Sequence, residues 1–194
     1  MKMKIRSLLV AAALAATGLT VAQAAPITYQ GTLVPGLSEE GSVTGFSWFL
    51  NDGTGVQFWQ FDATAGSDVT LSVNRLNGNL DPALSFYQGT TNADTSTFNS
   101  AASFGGMTFI GSLDDEAPPF VGPTGFTGDP LGTFAIATTG VYTVVVGGSD
   151  STDGGAYPYR ITMSVGAAPV PEPSALALMA VGLASLAFLR RRRG

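Results

Sequence analysis

The densest group of side chains that could carry chemistry in this sequence is acidic. Asp114, Asp115 and Glu116 are consecutive, and Asp129 follows a loop away. Calcium takes about six to eight oxygen ligands, and neighbouring carboxylates on a loop are suitable donors. These four residues are therefore candidate calcium ligands. The alternative is a solvated acidic loop in which water and salt screen the repulsion. The spacing does not match an EF-hand loop.

A second candidate lies in the glycine-rich loop 147–155, which contains Asp150 and Asp153. Serine hydroxyls and backbone carbonyls there could complete a calcium shell around the two carboxylates. The same composition is typical of an ordinary hairpin connection, which is the alternative interpretation. Asp81, followed by Pro82, is expected to begin a strand instead.

The residue types that most enzymes use are missing. The sequence contains neither cysteine nor histidine, which excludes Ser-His-Asp triads, Cys-His dyads and histidine-based zinc sites. Glycoside hydrolysis needs only two carboxylates about 5–10 Å apart, so a hydrolase that uses paired aspartates remains the catalytic alternative. We assign no catalytic residue. Four aromatic residues could stack on sugar rings, although their strand spacing favours the core: Trp48, Trp59, Tyr87 and Tyr157.

The charges are distributed unevenly along the chain. Seven of the nine basic residues lie in the two termini, which leaves Arg75 and Arg160 between residues 25 and 168. Thirteen of the fourteen acidic residues lie in that same range, so it carries eleven net negative charges. Such a domain repels nucleic acid and attracts divalent cations, and we exclude a nucleic-acid partner.

The elements that must position these side chains are predicted to be β-strands. Short segments with alternating or continuous apolar residues are separated by turn residues, which favours one antiparallel β-sandwich, jelly-roll-like, of eight or nine strands over 25–168. The strand segments are 27–33, 46–50, 56–63, 68–76, 83–87, a weaker one near 104–110, 133–138, 141–146 and 157–165. Pro158 indicates an edge position or a late start for the last strand.

The first 24 residues are predicted to be a secretory signal peptide. Basic residues precede an apolar stretch, and Ala22-Gln23-Ala24 matches the small-residue cleavage pattern, which would leave Ala25 as the mature N-terminus. The expected partners of this segment are the Sec translocon and signal peptidase.

The last residues, 169–194, have three successive parts. Pro171, Glu172 and Pro173 form an extended break, and residues 174–189 contain no charge. Sixteen helical residues span about 24 Å, short of the roughly 30 Å of a bilayer core, so we expect a short transmembrane helix. The chain then closes with Arg190, Arg191, Arg192 and Arg193 before Gly194. The arginines are expected to stay on the cytoplasmic side.

This terminus resembles that of PEP-CTERM proteins. In that family the tail is a sorting signal for an exosortase, a membrane-embedded processing enzyme of Gram-negative bacteria, and members are associated with the cell surface and extracellular polysaccharide. The resemblance implies export through the inner membrane, transient anchoring there, and delivery to the surface or beyond. It covers the Pro-Glu-Pro motif, the apolar span and the arginine cluster.

The body resembles the bacterial pre-peptidase C-terminal domain, a calcium-associated β-sandwich. The order of the segments 57–61, 65–71, 81–87, 114–115, 139–147 and 155–157 carries this resemblance. The sequence departs from the pattern after Asp115, where the loop 116–132 is long and contains four prolines. That departure puts a metal site on the loop in doubt.

Together these features predict an exported, non-catalytic surface or matrix protein with a structural, adhesive or binding role. Two alternatives stay open: a secreted carbohydrate-active hydrolase that uses paired aspartates, and a calcium-stabilised accessory domain. Extracellular polysaccharide is a candidate partner, and calcium is the candidate cofactor.

Overall fold

Nine strands account for nearly all of the regular structure. The computed structural model describes residues 25–118, 128–151 and 153–166. In chain order the strands are β1 (Tyr29–Thr32), β2 (Ser38–Thr44), β3 (Gln57–Ala63), β4 (Asp68–Arg75), β5 (Leu80–Gln88), β6 (Thr108–Leu113), β7 (Leu131–Ala135), β8 (Gly140–Ser151) and β9 (Ala156–Gly166), with one 3-10 turn at Thr95–Thr97. None of the helical structure in these ranges is long and apolar enough to cross a membrane.

The strands form two sheets that pack face to face. One has five strands in the order β1-β3-β8-β5-β6, and the other has four in the order β2-β9-β4-β7. All neighbours are antiparallel except β1, which runs parallel to β3. The prediction of an all-β sandwich of eight or nine strands is therefore confirmed.

The main core lies between the sheets and is rich in aromatic rings. Phe61, Phe86 and Tyr142 stack with ring centroids 5.4–5.9 Å apart, and Phe134 tilts against Phe86 at 4.6 Å. Each such pair contributes about 0.5–1.5 kcal/mol beyond the burial of its area. Trp59 donates its indole N–H to the Tyr159 hydroxyl at 2.8 Å, so this buried polar pair is satisfied.

The five-stranded sheet is also covered on its outer face. A second apolar cluster there includes Tyr87 and Val145 from the sheet together with Phe98, Phe104 and Met107 from the connection between β5 and β6. This explains why the first eight residues of β5 are all buried. The connection 89–107 is therefore a covering layer.

Two strand predictions were wrong in detail. Residues 46–50 form a loop across the outer face of the five-stranded sheet, where Trp48 N and Phe49 N both donate to the Gly148 carbonyl. For the residues of β2, in contrast, the sequence predicted no strand. Its inward positions include Gly41, where an added Cβ would overlap Gln57 and the Tyr159 hydroxyl, so the strand offers little apolar signal.

Pro158 lies within β9, which is an internal strand of its sheet. The Pro158 carbonyl accepts from Leu76 N, one residue beyond the end of β4 at Arg75. Its missing N–H therefore faces the point at which the ladder with β4 stops, where proline is tolerated. The predicted edge position was wrong, and so was the alternative of a late start, because β9 begins at Ala156.

Strand direction assigns each connection to one of two ends. The exit end is where β9 finishes at Gly166, and it contains the β1–β2, β3–β4 and β7–β8 turns. The β5–β6 connection also leaves and re-enters its sheet there, since Gln88 pairs with Thr108. The acidic end is the opposite one, and it contains the β2–β3, β4–β5, β6–β7 and β8–β9 connections. These two names are used below.

Candidate functional site

Strand pairing at the acidic end gathers three carboxylates. Leu84 of β5 pairs with Leu113 of β6, so the start of β5 lies beside the residues that follow β6. One oxygen from each of Asp81, Asp114 and Asp115 lies within 4.8 Å of the others. Asp81 is buried, Asp114 is half-buried and Asp115 is exposed, so the group opens from the protein interior to solvent.

Asp114 occupies the centre of this acidic triad, which we define as Asp81, Asp114 and Asp115. Its Oδ2 accepts from the Ser149 hydroxyl at 3.1 Å. Its Oδ1 is buried and has no hydrogen-bond partner among the described residues. Burial, with the charge of Asp115 adding to it, raises the pKa of Asp114 to about 6. An unpartnered buried carboxylate oxygen is costly, and a cation would satisfy it.

A buried arginine neutralises part of the acidic end. Arg75 Nε donates to Asp129 Oδ1 at 2.5 Å, and its Nη2 lies 3.3 Å from Asp81 Oδ1 and also donates to the Gly128 carbonyl. All three side chains are nearly buried: Arg75 is 4% exposed, Asp129 is 2% exposed and Asp81 is 9% exposed. Such a network holds its charges in place because each buried ion needs its partner.

Asp81 belongs to both the arginine network and the acidic triad. Burial raises the pKa of Asp81 to about 7, the charges of Asp114, Asp115 and Asp150 add to the rise, and Arg75 opposes it. Asp150 is the register partner of Asp81 on β8. The acidic triad and Asp129 together place four carboxylates around Arg75, so this cation leaves several negative charges unbalanced, which favours either a proton or an added cation.

The six candidate ligands predicted from the sequence have separate surroundings. Asp114 and Asp115 are members of the triad, whereas Asp129 forms an ion pair with Arg75. Glu116 Oε2 accepts from Asp114 N at 2.9 Å, and Asp150 Oδ1 accepts from Ser151 N at 2.7 Å.

Asp153, the sixth, is engaged within its own turn. It accepts from Gly155 N at 2.8 Å and from the Tyr157 hydroxyl, and these bonds lower the pKa of Asp153. Its carboxylate is not part of the triad. The assignment of calcium to these six residues stays a prediction.

Two residues of the site had no assigned role in the sequence prediction. Asp81 was expected only to begin a strand, and it does begin β5 next to Leu80. Arg75 was noted only as a basic residue, although a cation in a strongly acidic domain is a natural partner for buried carboxylates. The β4 register, with Arg75 N also 3.3 Å from Asp129 Oδ2, brings this charge inward.

The long connection 116–132 is closed at its base. Ala117 and Asp129 exchange backbone hydrogen bonds of 2.9 and 2.7 Å. Gly128 packs on Asp115 so closely that a Cβ would overlap the Asp115 backbone. The proline-containing insertion therefore leaves the triad intact, and Asp129 is held beside Arg75.

The four aromatic candidates for sugar stacking lie in or near the cores. Trp59, Tyr87 and Tyr157 are buried, and Trp48 is partly buried with its Nε1 donating to Ser85 Oγ at 2.7 Å. Their rings contribute to packing, as their strand spacing favoured.

The predicted signal peptide lies outside the described residues, and so do its cleavage residues Ala22 and Ala24. The same is true of the Pro-Glu-Pro motif, the apolar span 174–189 and the four terminal arginines. Ala25 is the first residue described.

The fold and the site together define an all-β sandwich with an acidic end that could hold a metal. Family models match two parts of the chain: residues 169–193 match the PEP-CTERM protein-sorting motif, and residues 55–148 match the bacterial pre-peptidase C-terminal domain. Both resemblances stated from the sequence are confirmed. Residues 169–193 therefore carry a PEP-CTERM protein-sorting motif.

Solved structures are similar to this chain at low sequence identity, and one of them has a TM-score above 0.5. The surface-associated copper-binding protein CorA of Methylomicrobium album BG8 has 17% identity and a TM-score of 0.55, with 74% of this chain and 100% of that chain covered. The pre-peptidase C-terminal domain of a Bacillus anthracis collagenase has 12% identity and a TM-score of 0.40, covering 71% and 97%. No curated protein sequence shows significant similarity to this chain.

A periplasmic inhibitor of g-type lysozyme from Aeromonas hydrophila has 18% identity and a TM-score of 0.41, covering 72% of this chain and 100% of that chain.

Replacing Arg75 with methionine is expected to lower the free energy of unfolding by about 3–5 kcal/mol, because Asp129 and Asp81 would stay buried without their cation. Arg160→Met is the matched control: it removes the other arginine of the domain, which pairs with Glu40 at 2.6 Å on the surface. That loss should stay below about 1 kcal/mol. Urea denaturation of both variants measures the difference, and equal losses would contradict the structural role of Arg75.

The raised carboxyl pKa values predict how stability depends on pH in the presence of a chelator. The folded protein holds protons on Asp81 and Asp114 that the unfolded chain releases at about pH 4, so their contribution is greatest below pH 4 and is lost as the pH rises toward about 6 and 7.

The substitution Asp114→Asn isolates one of these groups. We expect the variant to melt above the unmodified protein at pH 8 and close to it at pH 4, because asparagine mimics the protonated carboxyl. Asp62→Asn, which changes an exposed carboxylate on β3, serves as the control. A variant that melts below the unmodified protein at pH 8 would contradict the raised pKa.

Proposed function

We propose that this protein is an exported, non-catalytic component of the cell surface or extracellular matrix, delivered by exosortase-type processing, with a structural, adhesive or binding role. The observation that carries the proposal is the PEP-CTERM motif at 169–193 directly following a pre-peptidase C-terminal-like sandwich. The sandwich is the passenger, and the tail determines where it is delivered.

The arrangement of the described side chains supports a role without catalysis. A glycosidase needs two carboxylates that flank an accessible sugar. Asp81 is buried and forms an ion pair with Arg75, and Asp129 forms an ion pair with the same arginine. The sequence contains no histidine or cysteine that could serve as an alternative base or nucleophile. The hydrolase alternative therefore draws no support from this geometry.

A second candidate function is calcium-dependent stabilisation, and the acidic triad favours it. Calcium prefers carboxylate, hydroxyl and carbonyl oxygens, which are the groups around Asp114. Copper sites use imidazole or sulfur ligands, whereas this chain has no histidine or cysteine, and Met107 and Met163 are buried in the cores. A hard cation therefore fits the oxygen donors of this site better than copper does.

Substitution of the Pro-Glu-Pro motif tests the delivery route. In a bacterium that contains an exosortase, the full chain should reach the outer surface or medium without its C-terminal tail. The triple substitution Pro171→Ala, Glu172→Ala and Pro173→Ala should instead stay in the membrane fraction at full length. Mass spectrometry of both fractions gives the readout, with Ala168→Ser as the control. Equal release of the triple variant and the unmodified chain would refute the route.

Calcium binding is tested by thermal melting of the mature chain. Millimolar calcium should raise the melting temperature at pH 8, because a ligand that binds only the folded state stabilises it. The rise should be much smaller at pH 5, where Asp81 and Asp114 hold protons. It should vanish in the double variant Asp114→Asn with Asp115→Asn and persist in Asp62→Asn. An unchanged melting temperature at pH 8 would eliminate this function.

A further inference from the structure

The two ends of the sandwich differ strongly in charge. Eight of the thirteen acidic residues of the domain lie at the acidic end or in the connections there: Asp52, Asp81, Asp114, Asp115, Glu116, Asp129, Asp150 and Asp153. The three turns of the exit end, 33–37, 64–67 and 136–139, contain no charged residue at all. The charged residues nearest this end lie on the strands: Asp68 is the register partner of Gly166, Asp62 precedes the last residue of β3, and Glu39 is the second residue of β2.

The exit end also exposes apolar side chains. Val34 and Leu37 of the β1–β2 turn are 47% and 57% exposed, and Val165 of β9 is 39% exposed. The turn is tied to β9 because Gly36 N donates to the Met163 carbonyl at 2.8 Å, two residues before Val165. These three residues, which we name the exit patch, therefore sit on elements that are joined next to the point where the chain leaves the sandwich.

The sequence beyond Gly166 limits what can reach the exit patch. Residues 167–173 connect β9 to the uncharged segment 174–189. Seven residues extend over at most about 25 Å. If the tail enters a membrane, as the proposed function requires, the exit end is held within that distance of the lipid surface. A tether of this kind gives an effective concentration of about millimolar, so even a weak contact is populated.

We propose that the exit patch docks on the lipid surface while the tail is inserted, so that the sandwich stands with its acidic end pointing away from the membrane. Charge favours this orientation twice. Anionic phospholipids repel the eight carboxylates at the far end, and the uncharged turns at the near end allow close approach. Exposed valine and leucine side chains then enter the interface. This inference rests on the proposed function, because it requires the tail to act as a membrane segment.

The absence of cysteine from the sequence makes site-specific labelling simple. Gly140 at the exit end and Gly154 at the acidic end both have open space around an added Cβ and ordinary backbone angles. Gly140→Cys and Gly154→Cys, each in the full chain and labelled with an environment-sensitive fluorophore, form a matched pair. Both are reconstituted in vesicles of phosphatidylethanolamine and phosphatidylglycerol that contain spin-labelled lipid with the quencher near the headgroup.

The proposal expects several-fold stronger lipid quenching at Gly140→Cys than at Gly154→Cys. Adding Val34→Ser and Leu37→Ser should remove most of that difference without lowering the melting temperature, because both side chains are already exposed. Phe49→Ser with Leu50→Ser is the control pair, since these residues are 66% and 67% exposed at the acidic end. That control should leave the quenching unchanged.

Vesicle flotation separates the two levels of the proposal. A chain that does not float with vesicles would overturn the membrane stage of the proposed function and the docking together. A chain that floats but shows equal quenching at the two labels would overturn the docking alone. Protection of the Gly140→Cys label from an aqueous quencher without lipid quenching would indicate a protein contact, such as a second copy, and would also overturn docking on lipid.

Discussion

The burial of a single arginine is the interaction on which the acidic end of this domain depends. Arg75 belongs to β4 in the four-stranded sheet, Asp81 belongs to β5 in the five-stranded sheet, and Asp129 lies on the arm that leads into β7. One guanidinium therefore links both sheets and the connection between β6 and β7. Because removing any partner would leave a buried charge uncompensated, the three positions are mutually dependent. Because Arg75 pairs with Asp129 and Asp81, the carboxylates around Asp114 are the ones left to bind a cation from solution.

Much of the fold could be predicted because burial leaves a periodic trace in the sequence. Alternation at Val69, Leu71 and Val73 reports a strand with one face in the core, and each of these side chains is fully buried. β2 left little trace, since it faces the core with few apolar residues and its pairing with β9 is supplied by the backbone. Residues 46–50 were predicted as a strand because they are apolar, but they form a loop. Their apolar side chains belong to a loop on the outer face of a sheet, where covering the sheet gives the same composition as a strand.

The candidate site was only half predictable, because its members meet through strand register. Asp114 and Asp115 are adjacent in sequence, so a local pattern identified them. Asp81 reaches them through the pairing of β5 with β6, and Arg75 reaches Asp81 from the opposite sheet, where β4 pairs with β9. A one-residue shift in either pairing would turn these side chains to the other face. No local composition encodes that register. The shortage of cations in a domain with thirteen acids is a signal that could have marked Arg75 as a partner for buried carboxylates, although the sequence prediction gave it no role.

The alternating strand directions separate the candidate site from the tail. β9 ends at the exit end, whereas the acidic triad lies where β5 begins and β6 finishes, at the other end of the same sandwich. A cation that binds Asp114 would therefore approach from the side opposite the proposed membrane contact. Its charge would reduce the repulsion among the carboxylates without altering the uncharged turns next to Gly166. Cation binding and membrane docking can thus operate at the same time, and loss of the tail on processing would leave the acidic end unchanged.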